Sequence, residues 1–230
     1  MQKTAPGTRA RDIYVLASVH FDILLQADDI ALKRLEGLHA KELNDFFVIL
    51  QHCQKEQAWE RVLVWLRWLL PLLPKAKKED FHEICAIWQE TMTHQASDQE
   101  WIQVMRTLLP RSYYYYADYL MRTSRYRQWI DLQLSTGISP VDLQSEHVKA
   151  VEQADPSYLL PLYHQAIERV IEEKNRTAYQ EAVKMLKKLQ SYYTKIHQPN
   201  RWESYITQLS DRYSRLRAFQ QELEKGGWLS

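Results

Sequence analysis

Glycine is nearly missing from this chain, with five residues in 230. Glycine supplies the positive φ of tight turns without steric cost. Its scarcity therefore argues against a sheet with many hairpin turns and predicts few positions of positive φ. Cysteine is equally scarce: Cys53 and Cys85 cannot build a disulfide framework. A reducing compartment, the cytoplasm, is the expected home. No apolar stretch reaches the roughly 20 residues needed to cross a bilayer. Val62 to Leu73 is the most hydrophobic segment, and Arg67 and Pro71 interrupt it, so it reads as a buried core helix. Near the start, Lys3, Arg9 and Arg11 are not followed by an uninterrupted apolar run, so no signal peptide is expected. Charge of one sign is lacking too. Lys plus Arg total 30 and Asp plus Glu total 29, a balance that does not select nucleic acid or an anionic membrane as partner. Phosphate-cradling glycine loops, His-Glu-x-x-His and Gly-x-Ser-x-Gly are all absent, which argues against the common enzyme classes.

Tryptophan and tyrosine are plentiful, at 8 and 14 residues, and in helices such rings mark helix-to-helix contacts. Amphipathic helical spacing runs along most of the chain. The segment from Asp12 to Leu25 places Ile13, Leu16, Ala17, His20, Phe21 and Leu24 on one face, which is expected to point inward. Leu43, Phe46, Phe47 and Leu50 continue in a further helix. From Glu56 to Leu73, the residues Trp59, Val62, Leu63, Leu66, Leu69 and Leu70 face inward until Pro71 and Pro74 end the helix. Phe81, Ile84, Cys85 and Trp88 mark the next one, and Ser97 with Glu100 forms a capping box for the helix after it. Gly137 reads as a helix C-cap or a hinge. Ser139-Pro140 and Asp155-Pro156 each read as a helix start.

Two long helices close the chain. One carries Tyr179, Ala182, Val183, Leu186, Leu189, Tyr193 and Ile196. The other carries Trp202, Tyr205, Ile206, Leu209, Tyr213, Leu216, Phe219 and Leu223. Joined by His197 to Asn200, they are expected to fold as a helical hairpin. No segment reads as a strand. Trp59, Trp101, Trp129, Tyr163 and Trp202 lead successive units at about 30 to 40 residues, the range of paired-helix repeats. The expected fold is all-α: a TPR-like α-solenoid of stacked helical hairpins over residues 1–230, with a joint near 136–157. An irregular helical bundle is the alternative.

Residues 159–229 support a more specific comparison. Lys174-Asn175-Arg176 stands before Ala178-Tyr179, and Glu181-Ala182-Val183 runs into Leu186-Lys187. Tyr192-Tyr193, Trp202-Glu203 and the stretch from Arg215 to Leu223 follow. This pattern resembles the C-terminal helical region of bacterial SWIM zinc-finger proteins. The resemblance implies a zinc motif of the form Cys-x-Cys, a spacer, then Cys-x-His, in a family whose finger contacts DNA or protein, often beside SNF2-type ATPases. That motif is absent here, since 31 residues separate Cys53 from Cys85. Zinc is thus expected only with a separate SWIM motif outside this chain, and no cofactor within it.

Three clusters carry chemistry worth weighing. His82-x-x-Cys85 puts two metal-ligand types one helical turn apart, and His52-Cys53 could complete a set of four. A small buried hydrophobe is the commoner use of free cysteine. Arg111, Tyr114, Tyr115, Arg122, Arg125 and Arg127 form the densest aromatic and basic cluster, able in principle to stack on bases and pair with phosphates. Lys184, Lys187, Lys188 and Lys195, with Arg212 and Arg215, form a basic ridge opposite the apolar stripe of the closing helices. Twelve basic and eight acidic residues from Pro161 to Ser230 leave that tail near +4. A solvated face is the ordinary use of such a ridge. The expectation is a non-catalytic helical scaffold for a protein partner, with an SNF2-type ATPase as the candidate the resemblance suggests. A nucleic-acid-binding accessory module is the alternative.

Overall fold

The structure is a computed structural model that describes residues 6–36, 38, 43–94 and 98–229. Every regular element among the described residues is a helix, with thirteen α-helices and four short 3₁₀ turns. The all-α expectation is met. The chain divides into two compact units, with the division after Tyr116.

The first unit opens with α1 (Pro6–Leu24) and α2 (Asp28–Leu35), which pack along each other. A 3₁₀ turn at Leu43–Phe46 leads into α3 (Phe47–Lys55) and α4 (Trp59–Leu69). As expected from Pro71 and Pro74, α4 stops at Leu69 and gives way to a second 3₁₀ turn, Leu70–Lys75. Then come α5 (Lys78–Thr93), α6 (Gln99–Thr107) and the first turn of α7 (Tyr113–Arg122). Phe46, Leu50, Val62, Trp65, Leu66, Leu69, Phe81, Ile84, Trp88 and Trp101 fill the core, all nearly without exposure. At roughly 1.5–3 kcal/mol per fully buried large side chain, this core is the main stabilising term of the unit. The expected Ser97 cap lies outside the described residues. Its proposed partner Glu100 instead accepts two hydrogen bonds from Arg67, at 2.6 and 2.7 Å.

One polar node fixes α1 and α2 to α4. Arg61 donates to both carboxylate oxygens of Asp28, at 2.5 and 2.8 Å, and to the Ile23 carbonyl at 3.0 Å. Trp65 Nε1 donates to the same carboxylate at 3.0 Å. Burial opposes ionisation of Asp28, but the hydrogen bonds from Arg61 and Trp65 outweigh it and hold the carboxyl below its usual pKa.

The second unit contains the rest of α7, then α8 (Tyr126–Thr136), α9 (Ser145–Ala154), α10 (Leu160–Ile171), α11 (Arg176–Lys195), α12 (Pro199–Arg212) and α13 (Arg217–Gly226). The 20-residue α11 is its mast, packed against α10, α12 and α13. Its buried stripe runs Ala178, Tyr179, Ala182, Met185, Leu186, Leu189, Tyr192 and Tyr193, close to the expected one. Asn175 caps it, accepting from the Ala178 amide at 2.9 Å. Asp155 accepts from the Ser157 amide at 2.8 Å and starts the turn into α10, as its Asp-Pro pair predicts. Gly137 caps α8 with φ 67°. The Ser139-Pro140 pair departs from expectation. It starts only a 3₁₀ turn, Pro140–Asp142, and α9 begins at Ser145.

The closing hairpin departs further. The helix expected from Trp202 to Leu223 breaks after Arg212 and resumes at Arg217. Gln220 holds the break, because its amide donates to the carbonyls of Ser210 (3.0 Å) and Tyr213 (3.1 Å) and its oxygen accepts from the Ser210 hydroxyl (3.0 Å). The bend carries Phe219 and Leu223 back onto the mast, where Phe219 meets Tyr179.

Left-handed positions are few among the described residues, as expected, but most of them are not glycine. Gln26, Gln57, Ser124, Lys174 and His197 all adopt φ of 55–58°. Four of them share one helix-ending turn, in which the next amide reaches back five residues: Ala27 to Asp22, Ala58 to Cys53, Arg125 to Leu120 and Gln198 to Tyr193. This is the Schellman closure, and its hydrogen bonds offset the roughly 1–2 kcal/mol that a side chain costs in that region. The same turn joins α1 to α2, α3 to α4, α7 to α8, and α11 to α12.

Candidate functional site

α1 is apolar on two sides. Val19 and Ile23 are buried, and α2 takes that side. The face expected to point inward points outward instead. Ile13 is 61% exposed, Tyr14 72%, Phe21 65%, Leu24 54% and Leu25 78%, and Ala17 and His20 are exposed among them. At 3.6 residues per turn, Ile13, Tyr14, Ala17, Phe21, Leu24 and Leu25 fall within an arc of about 120°. Helical periodicity finds both faces without saying which receives a neighbour. A contiguous exposed apolar patch of this kind marks an interaction surface far more often than a single exposed leucine does.

The residues singled out from sequence are placed less uniformly. Arg111 is a structural clamp. It donates to the carbonyls of Leu73 (2.7 Å), Pro74 (3.0 Å) and Ala76 (2.8 Å), and its guanidinium lies 4.4 Å from the Phe81 ring centre. Tyr115 is half-buried and bonds the His82 carbonyl and ring. Tyr114 is 77% exposed. In the second unit, Arg122 pairs with Asp118 one turn earlier on α7, Arg125 lies over Tyr119 and Arg127 is exposed. On the basic ridge, Lys188 and Lys195 both hold Glu152 of α9, and Arg212 holds Glu168. Lys184, Lys187 and Arg215 are exposed and make no ion pair among the described residues.

No metal set forms. Among the described residues, no three His, Cys, Asp or Glu side chains converge on one point. Cys53 and Cys85 are fully buried. Burial pushes the Cys85 thiol up to about 12 and also raises Cys53, which disfavours the thiolate a metal requires. The residues present therefore do not fit the zinc that the SWIM resemblance implies.

Two further features have chemical character. A hollow of about 390 Å³ in the first unit is lined by Leu43, Pro71, Leu72, Lys75, Ala76, Lys77 and Asp80. In the second unit, His164 Nε2 and Tyr193 Oη share a 2.9 Å hydrogen bond, and the Tyr205 ring meets His164 edge-on at 4.2 Å. Burial holds the imidazole below its usual pKa against the opposing pull of Glu168. Burial also raises the Tyr205 and Tyr193 phenols. These groups are neutral near pH 7 and stapled to one another, an arrangement suited to holding α10, α11 and α12 together. Sequence spacing gave no sign of it, since His164 and Tyr193 are 29 residues apart.

Among known proteins, the chain is similar to the uncharacterized protein YwqB of Bacillus subtilis (strain 168), at 30% identity over 233 aligned positions. The alignment covers 97% of this chain and 44% of YwqB, so the chain spans less than half the length of that relative. No protein-family model and no solved structure matches the chain.

Proposed function

We propose that this chain is a non-catalytic helical scaffold that engages a protein partner through the outer face of α1. One observation carries the reading: six apolar positions share a single solvent-facing arc of a helix whose other side is already packed. Keeping that arc wet forgoes roughly 25 cal/mol per Å² of apolar surface, which a partner restores. The finer architecture in this reading is a TPR-like stack of helical hairpins. It is supported by the common turn at Gln26, Gln57, Ser124 and His197. The reading also takes the chain as the helical part of a SWIM zinc-finger-like protein in the cytoplasm, with any zinc held elsewhere. The pattern of residues 159–229 and the greater length of YwqB support that part.

The test compares wild-type chain with Phe21→Glu and Leu24→Glu as bait in native lysate. Both side chains are exposed, so the variants should fold. Capture that survives both substitutions contradicts the reading.

A nucleic-acid role is favoured by the exposed Lys184 and Lys187 on one side of α11, with Arg127 and Arg215 also exposed in that unit. Against it, Arg111, Lys188, Lys195 and Arg212 are spent on contacts within the chain. Titration with single- and double-stranded DNA separates the two, because phosphate contacts give affinity that falls steeply with salt. The scaffold reading expects no saturable, salt-sensitive binding.

A further inference from the structure

We infer that the occupant of the α1 face is a second copy of this chain, docked antiparallel about a two-fold axis that crosses the exposed face level with Val19. This rests on the reading of α1 as a protein-docking face and names its partner. A two-fold interface must be self-complementary: if residue i meets j, then j meets i. Within the solvent-facing arc the exposed apolar residues meet that condition in sequence; Leu16, 41% exposed and outside the arc, falls level with Asp22. Ile13 and Leu25 lie six positions either side of Val19, Tyr14 and Leu24 five, and Ala17 and Phe21 two. An antiparallel pair thus sets Ile13 against Leu25, Tyr14 against Leu24, and small Ala17 against large Phe21, each contact occurring twice. Ala17 leaves the gap that a phenyl ring fills, the knob-into-hole arrangement that close helix packing requires.

Charge at the rim agrees. Arg11, near the start of α1 in one copy, comes near the end of α1 in the other, where the chain turns and the exposed Asp29 lies in the first turn of α2. Opposite charges meet at both ends of the pair, and a parallel pair would set Arg11 beside Arg11.

Size agrees as well. Five large side chains, each between half and four-fifths exposed, amount to somewhat over three whole side chains per copy. At on the order of 150 Å² each, two copies bury about 1,000 Å², the lower bound for a specific interface. The pair is accordingly a modest, concentration-dependent dimer.

The experiment is sedimentation equilibrium of the full chain from low to high micromolar concentration. The weight-average mass should climb from 27.5 kDa towards twice that value. Phe21→Glu places two like charges at the centre of the pair and should weaken association at least tenfold. Its circular dichroism and melting curve should match wild type, since the side chain is exposed. Register is read by mixing Ile13→Cys chain with Leu25→Cys chain under mild oxidation. The native thiols Cys53 and Cys85 are buried and stay out of the reaction. Mixed disulfides in excess over either self-disulfide support the antiparallel pair. Predominant Ile13→Cys self-disulfide means a parallel pair and overturns it. A mass fixed at 27.5 kDa, or a dimer indifferent to Phe21→Glu, overturns the second copy as occupant. In either case, lysate capture that still depends on Phe21 leaves the docking-face reading standing, and loss of both removes both.

Discussion

Asp28→Ala should be among the most damaging single changes in the first unit. The carboxylate accepts two bonds from Arg61 and one from Trp65 Nε1, and its removal strands both donors. Hydrogen bonds to charged groups contribute about 1.5–3 kcal/mol, and breaking a buried pair costs about 3–5 kcal/mol. Here the side chains keep 17% and 12% of their exposure and Arg61 keeps the Ile23 carbonyl, so the loss belongs at the lower end, about 3 kcal/mol. Asp28→Asn retains an acceptor for Trp65 and should lose about half as much. The assay is urea unfolding followed by circular dichroism, with the slope unchanged and the midpoint lowered. If the two units unfold separately, only the transition of the first should move. A double-mutant cycle with Arg61→Met should give a coupling of about 1 kcal/mol or more. The ionised form is the one favoured by folding, because the folded pKa is lowered. This contribution is complete above the unfolded carboxyl pKa and disappears as pH falls through the folded one. A loss under about 1 kcal/mol, or strict additivity with Arg61→Met, would refute the account of this node.

Three further outcomes are expected. Ser124→Gly should stabilise by up to about 1 kcal/mol and raise Tm by about 2–4 °C, whereas Gly137→Ala, at φ 67° and with its methyl 2.8 Å from Arg169 Nη1, should destabilise by at least as much; equal signs in thermal melts contradict the turn analysis. His164 has a lowered folded pKa, so its contribution is complete above the ordinary histidine value near 6.5 and is lost as pH falls through the folded one. The urea midpoint of wild type should therefore drop more between pH 7.5 and pH 5 than that of His164→Gln, and parallel curves would exclude this role. Cys85, with its thiol pushed up to about 12, should react with a thiol reagent only after unfolding, and labelling within seconds in the native state would contradict its burial.

The sequence was most legible where one face of a helix is apolar and the other charged. α4, α5 and α11 bury nearly the residues their spacing singles out, and Pro71, Asp155 and Gly137 end or start elements as their chemistry dictates. α1 was misread because both its faces are apolar, and only the position of α2 decides which is covered. The break between α12 and α13 left no trace in periodicity, since Tyr213, Leu216, Phe219 and Leu223 keep helical spacing across it. Its cause is the set of contacts made by Gln220, which spacing does not report. Glycine content could not locate the left-handed positions for a related reason: Gln26, Gln57 and Ser124 adopt that φ because the closing hydrogen bonds repay it. Among the candidate contacts, Arg111 was legible as a cation but not as the clamp on the turn at Leu70–Lys75. That role depends on residues 35 to 38 positions away.

The most direct test is hydroxyl-radical footprinting of the chain in intact cells, set against the purified chain at high dilution. Coverage of the α1 face predicts strong protection of Ile13, Tyr14, Phe21, Leu24 and Leu25 in the cell, with Val141, exposed on the second unit, labelled equally in both. Equal labelling of the α1 residues in the two conditions would mean that nothing docks there.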